Sequence, residues 1–306
     1  MHLQSTYLSS GNLIADRRYE WARDLQAKGD LSAAADLLAQ TLELTPGYAA
    51  AWFALGEVRE KQGQREAAIA AFAQARAADP DDRHGARLHL IRLGAAPPAA
   101  MTEGYIRTLF DGYATGFDAA LLEGLAYRAP NLLLCAVENS GRRMKFGSVL
   151  DLGCGTGFAG AAFRPFADWM VGVDLSPAML REARGKGIYD RLVEDDVPRL
   201  LAAEAGIKAR YHLILAADVF MYFDDLAPAL KAVAQVLAPD GLLAFSVETH
   251  DGDGVILRHT LRYAHSGAHV RNALSSAGLK AISLDSAATR TEKGEPVPGL
   301  IVVAGN

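Results

Sequence analysis

The chain has 306 residues, half of them hydrophobic, with a formal net charge of -5 and two cysteines. That length accommodates two domains with separate cores, and the apolar share excludes a disordered chain. The charge leaves no electrostatic footprint for nucleic acid or an anionic membrane, and Cys135 and Cys154 are too few for a disulfide framework or a cysteine-based zinc site.

The N-terminal stretch, MHLQSTYLSSGNLIADRR, lacks a basic segment followed by an apolar core. The longest apolar run, Leu213 to Phe223, is broken by Asp218 and is too short to span a bilayer. A soluble protein of the reducing cytoplasm, with no membrane partner, is expected. From about Ala15 to Asp82 the sequence repeats itself at 34 positions: Gly29 with Gly63, Ala34 with Ala68, Leu38 with Phe72, Pro46 with Pro80. In the second copy, Gly56 and Ala68 are small enough for two antiparallel helices to approach, while Trp52, Leu55 and Phe72 fill the seam. Ala75 continues the pattern, and Pro80 ends the helix because its ring removes a donor and clashes with the preceding turn. This resembles the tetratricopeptide (TPR) family. The first copy departs from it, with Trp21 and Ala22 in place of Leu55 and Gly56 and Arg18 in place of the first aromatic. Arg83 to Leu93 reads as an incomplete third helix that caps the pair. Two such repeats bury their apolar faces on a neighbour, so they serve either as a groove for a protein partner or as a spacer or homodimer surface.

Gly94-Ala95-Ala96-Pro97-Pro98 marks a boundary, giving a helical-repeat domain over 1–96 and linker and lid helices over 97–147. Met101 to Ala126 carries Tyr105, Leu109, Phe110, Tyr113, Phe117 and Leu121 at helical spacings. A third domain spans 148–306. It opens on VLDLGCGTGFAG, residues 149–160, an apolar strand that runs into a turn built on Gly153, Gly155 and Gly157. Alternate glycines let the backbone bend sharply and a ligand approach without meeting a Cβ. Asp151 before the first glycine is an acceptor suited to a ligand with a free ammonium. Gly155-Thr156-Gly157-Phe158-Ala159-Gly160 also satisfies the dinucleotide fingerprint, which such turns often do.

Strands follow at Trp169 to Val173, near Val193, at Tyr211 to Ala216 and at Leu242 to Val247, the last after the turn Pro239-Asp240-Gly241. Asp174, roughly 20 residues past the glycine loop, is placed to accept hydrogen bonds from both ribose hydroxyls, and Leu175 beside it is a further cofactor-binding candidate. Ser176 caps the next helix and Pro177 occupies its first position. Asp218, Phe220 and Tyr222 follow the fourth strand at the same edge, where aromatic faces suit a sulfonium cation. Lys280 to Leu284 and Gly299 to Val303 read as two further strands joined by a polar loop without a helix.

Asp-x-Gly-x-Gly-x-Gly at residues 151–157 resembles the first motif of the class I S-adenosylmethionine-dependent methyltransferases, and the likeness extends from about Met101 to the C-terminus. It implies a Rossmann-like α/β fold, seven strands mostly parallel with an antiparallel C-terminal strand, preceded here by the all-α repeats. It also implies S-adenosyl-L-methionine as cofactor and S-adenosyl-L-homocysteine as product. On that likeness Asp195, and after it Asp196, meets the adenine, and YIRTLFDGYATGFD at 105–118 is the lid that brings Tyr105, Tyr113 or Phe117 to the ligand. The methyl acceptor is unidentified. For it, His265 is the first candidate contact or base, ahead of Tyr263, Arg262, Tyr222 and Asp218. A general base is needed only if the acceptor must lose a proton, and no metal is expected. A nicotinamide-dependent oxidoreductase and a non-catalytic TPR adaptor with a vestigial fold stay open as alternatives.

Overall fold

A computed structural model describes residues 9–114, 116–119, 121 and 124–306. The start of the N-terminal stretch, residues 1–8, lies outside them. The chain divides into two compact units, one ending at Gly112 and one spanning Tyr113–Asn306.

The first unit is helical: α1 Leu13–Ala27, α2 Leu31–Leu44, α3 Ala49–Lys61, α4 Arg65–Ala78, α5 Ala86–Arg92 and α6 Glu103–Tyr113, whose last residue opens the second unit. Local chemistry sets the breaks. Asn12 accepts hydrogen bonds from the amides of Ile14 and Ala15 at the start of α1, and Asp30 caps α2 through Ala33. Gly29 and Gly63, with φ of 85° and 73°, turn the chain at equivalent places in the two repeats. A Cβ on Gly56 would lie 2.6 Å from the Phe72 ring, so α3 and α4 approach as the repeat pattern requires. The Trp52 indole donates to the Pro46 carbonyl at 2.7 Å. α6 packs on the repeats: the Tyr105 ring lies over Gly85, and a Cβ on Gly104 would strike the Asp81 carbonyl.

The second unit continues with a short turn α7 Phe117–Ala119 and α8 Ala129–Asn139. Then follow β1 Phe146–Leu152, α9 Phe158–Phe163, β2 Ala167–Asp174, α10 Pro177–Lys186, β3 Arg191–Glu194, α11 Val197–Gly206, β4 Tyr211–Ala216, α12 Ala227–Val236 and β5 Leu237–Glu248. The remainder is β6 Val255–Leu257, β7 Tyr263–His265, α13 Gly267–Ser276, β8 Lys280–Ser286, β9 Thr291–Glu292, β10 Glu295–Pro296 and β11 Gly299–Gly305. The main sheet runs β3-β2-β1-β4-β5-β11-β8, with β11 antiparallel to both neighbours and the first five strands parallel. The order reverses between β1 and β4, which opens a crevice at their C-terminal ends.

Alternation along the strands builds two cores. Leu150, Leu152, Ile214, Leu243 and Phe245 face α11, α12 and α13, while Val149, Met170, Leu213 and Ala244 face α8 and α9. The fifth strand begins before Pro239-Asp240-Gly241 instead of after it, because the register shift between Tyr211 and Leu213 absorbs the turn. β6, β7 and the β9–β10 hairpin are additions that the sequence pattern did not signal. β7 continues the parallel edge by pairing Ala264 with Glu248, and β6 pairs antiparallel to β7.

Candidate functional site

The glycine loop sits where β1 gives way to α9. Gly153, Gly155 and Gly157 have φ of 59°, 54° and 98°, a region costly for any residue with a Cβ. Beside Gly155 the position of an added Cβ has nothing within 4 Å, whereas one on Gly153 would lie 2.6 Å from Val219. The loop is held by Cys154 N–H donating to the Val173 carbonyl at 2.8 Å and Gly155 N–H donating to Asp174 at 2.9 Å. The other Asp174 oxygen accepts from Ser176 N–H at 2.8 Å, so this carboxylate fixes the ends of both strands.

Asp151 is buried beneath the loop. The Tyr189 hydroxyl donates to its Oδ2 at 2.6 Å, and Oδ1 has no hydrogen-bond partner. Burial raises this carboxyl to about 7, with the charge of Asp174 adding to the rise and the Tyr189 hydrogen bond opposing it. At the neighbouring strand end, Asp195 accepts from Asp196 N–H and from the Arg199 Nε at 2.7 Å. The Arg199 bond is the main cause holding Asp195 below the usual carboxylate range.

From the other side, Asp118 ties the segment ahead of α8 to the loop. It accepts from Thr156 Oγ1 at 2.6 Å and from Lys186 Nζ at 2.6 Å, and that ammonium lies 4.8 Å from the centre of the Phe158 ring. Phe117 immediately precedes Asp118 in the chain. Tyr113 is half-buried in the same unit. Tyr105 belongs to the repeat unit.

The edge beyond β4 and β5 holds charges that sequence reasoning missed. Arg290, 4% exposed, reaches Asp218 and Glu292, each at 3.1 Å, and also Glu248. Burial alone would lower the Arg290 pKa, but the three carboxylates outweigh it and hold the guanidinium charged. Ser246 Oγ donates to the second Asp218 oxygen at 2.6 Å and accepts from Asp218 N–H at 2.8 Å. Asp218 is therefore a strut between β4, β5 and the 287–298 loop. Arg262 pairs with Glu292, and its charge bears on Tyr222 and Tyr113. Phe220 is wholly buried, edge-on to Phe245 with ring centroids 5.1 Å apart, and lies within the apolar core. His265 is also wholly buried in β7, its ring stacked 5.4 Å from His269. Burial, with His269 adding, lowers its pKa to about 4, so it is neutral at pH 7. Among the described residues no group of three or more His, Cys, Asp or Glu is placed to hold a metal, and no helix is long and apolar enough to cross a membrane.

Comparison with known proteins decides between the nucleotide-binding families. Residues 150–243 match the methyltransferase domain family, and residues 25–89 match the tetratricopeptide repeat family. The chain joins TPR repeats to a methyltransferase domain. A malonyl-[acyl-carrier protein] O-methyltransferase of Acetivibrio thermocellus is 32% identical over 108 residues, covering 33% of this chain and 36% of that protein. Methyltransferase-like protein 27 of Homo sapiens is 36% identical over 85 residues, 27% of this chain and 34% of that protein. The chain thus spans about a third of the length of the curated relatives it matches. Among solved structures, the 1,6-didemethyltoxoflavin-N1-methyltransferase of Burkholderia thailandensis, with S-adenosylhomocysteine bound, superposes with a TM-score of 0.52 at 21% identity. That alignment covers 68% of this chain and 91% of the other, and it shows the Rossmann-like sheet of the methyltransferase domain.

Proposed function

We propose that the methyltransferase domain binds S-adenosylmethionine over the glycine loop and transfers its methyl group to an acceptor at the ends of β4 and β5. The observation that carries this reading is the buried Asp151, whose Oδ1 lacks a donor beneath three glycines with left-handed backbone. The ligand's ammonium supplies a donor of the right charge, and a dinucleotide's pyrophosphate would be repelled. The residues present fit the cofactor. Asp174 with Leu175 lies at the ribose, Asp195 and then Asp196 at the adenine, and Tyr113 and Phe117 over the crevice.

When bound, the sulfonium supplies an electrophilic methyl carbon. The chain's own part is to fix both reactants in line and to exclude water, which lowers the entropic barrier. Tyr222 and Arg262 face the acceptor, and Asp218 shapes the wall through Ser246 and Arg290. His265, neutral and buried, is positioned behind this wall and serves as base only for an acceptor with a proton to lose. A carboxylate acceptor needs none. The relative from Acetivibrio thermocellus is a malonyl-[acyl-carrier protein] O-methyltransferase, and an acidic acceptor of that kind suits Arg262, whose side chain is 29% exposed. The repeats take a protein partner or a second copy of the chain in the cytoplasm.

Thermal shift separates the families. Stabilisation by S-adenosylhomocysteine and not by NAD is expected, and Asp174→Ala abolishes it while the repeats stay folded. Stabilisation by NAD alone would replace this reading with an oxidoreductase, and a response to neither, after removal of bound ligand, would favour the adaptor. Mass spectrometry of extract incubated with labelled cofactor then identifies the acceptor.

A further inference from the structure

We infer that Tyr189 is a positioning residue for the cofactor's amino-acid end: its hydroxyl orients the Asp151 carboxyl beneath the glycine loop, so that the site selects a ligand with an ammonium. The inference rests on the cofactor reading above. Tyr189 lies between α10 and β3, remote in sequence from the loop, yet its ring fills the space under it. A Cβ added at Gly157 or Gly172 would lie 3.2 Å or 2.9 Å from that ring, and one added at Gly160 would strike its hydroxyl. Small residues at these positions admit the ring, and the ring brings its hydroxyl to 2.6 Å from Asp151 Oδ2.

The partner atom makes this more than packing. A buried carboxylate with both oxygens bare would take up a proton, and a neutral acid offers little to an ammonium. The short phenol bond to Oδ2 supports the charge, the Gly160 backbone amide also favours the ionised form, and Oδ1 has no hydrogen-bond partner. A cation arriving at the loop then completes the set, either by contact or through the low-dielectric interior. The phenol remains a donor throughout, because burial and the nearby Asp151 hold Tyr189 well above its ordinary pKa. The titratable groups that bear on Asp151 are Tyr189, Asp174, Cys154 and Tyr127. Asp174 opposes ionisation of Asp151, which leaves the Tyr189 bond as the side-chain contact that favours it.

The test compares S-adenosylhomocysteine with 5′-methylthioadenosine, which keeps the adenosine and sulfur but lacks the amino acid. Both are titrated calorimetrically into the full-length protein and its Tyr189→Phe variant. The variant should bind S-adenosylhomocysteine roughly tenfold more weakly, as loss of a charge-assisted hydrogen bond implies, and methylthioadenosine within about twofold of wild type. Wild-type affinity for S-adenosylhomocysteine should rise with pH through about 7 as Asp151 ionises, and in Tyr189→Phe that rise should move to higher pH. Asp151→Asn should remove the rise without changing methylthioadenosine binding. Equal loss of both ligands in Tyr189→Phe, or loss of neither, overturns the inference and reduces Tyr189 to packing. If wild type binds neither ligand, the cofactor reading fails and this one with it. If wild type binds both and the variant discriminates as stated, both readings stand.

Discussion

His265 illustrates how burial turns a titratable residue into a pH sensor of stability. Its folded pKa, lowered to about 4 from 6.5, means that the native state resists the proton that the unfolded chain accepts. Between those values the unfolded state binds more protons, so stability rises with pH there; it is complete above about 6.5 and lost as pH falls toward 4. Acidification from pH 7 to 5 should therefore cost about 2 kcal/mol at this one residue. His265→Leu should flatten that dependence, read as urea midpoints at the two pH values. An unchanged slope in the variant would place the acid sensitivity elsewhere.

At the scale of elements, the repeat pair depends on one close approach. Gly56→Ala would put a methyl 2.6 Å from the Phe72 ring, which is fully buried and has little room to retreat. Overpacking of this kind costs roughly 1–3 kcal/mol. The loss should appear as lower stability in hydrogen exchange of α3 and α4, with the sheet amides unaffected. That glycine was legible in the sequence because its partner, Phe72, lies in the next helix of a repeating pattern. The glycine loop, Asp174 and the Ser176–Pro177 helix start were legible for the same reason, since each is decided by neighbours a few positions away. Arg290 was not. Its partners Asp218 and Glu248 lie 72 and 42 residues away, and its own loop has no periodicity to draw attention to it. Tyr189 was missed likewise: its role exists only because Gly160 and Gly172 clear space from distant points on the chain. Phe220 and His265 are wholly buried, and alternation in so short a strand as β7 gave no warning of that burial.

For the whole molecule, the division after Gly112 locates the chemistry. Every hydrogen bond described at the glycine loop, from Asp118, Asp174 and Tyr189, comes from within Tyr113–Asn306. A fragment of residues 113–306 should therefore bind S-adenosylhomocysteine within a few-fold of the full chain by calorimetry. Loss of binding in a folded fragment would show that the repeat unit completes the pocket. Acceptor turnover in the same fragment reports separately on whether the repeats deliver a substrate.

β11 has a consequence for solubility. It lies between β5 and β8, so among the described residues β8 joins the sheet through it alone. Without residues 299–305, β5 and β8 would each present a bare edge open to pairing with another copy of the chain. A variant that lacks residues 299–305 should therefore leave the soluble fraction, read by sedimentation after expression beside the full-length protein.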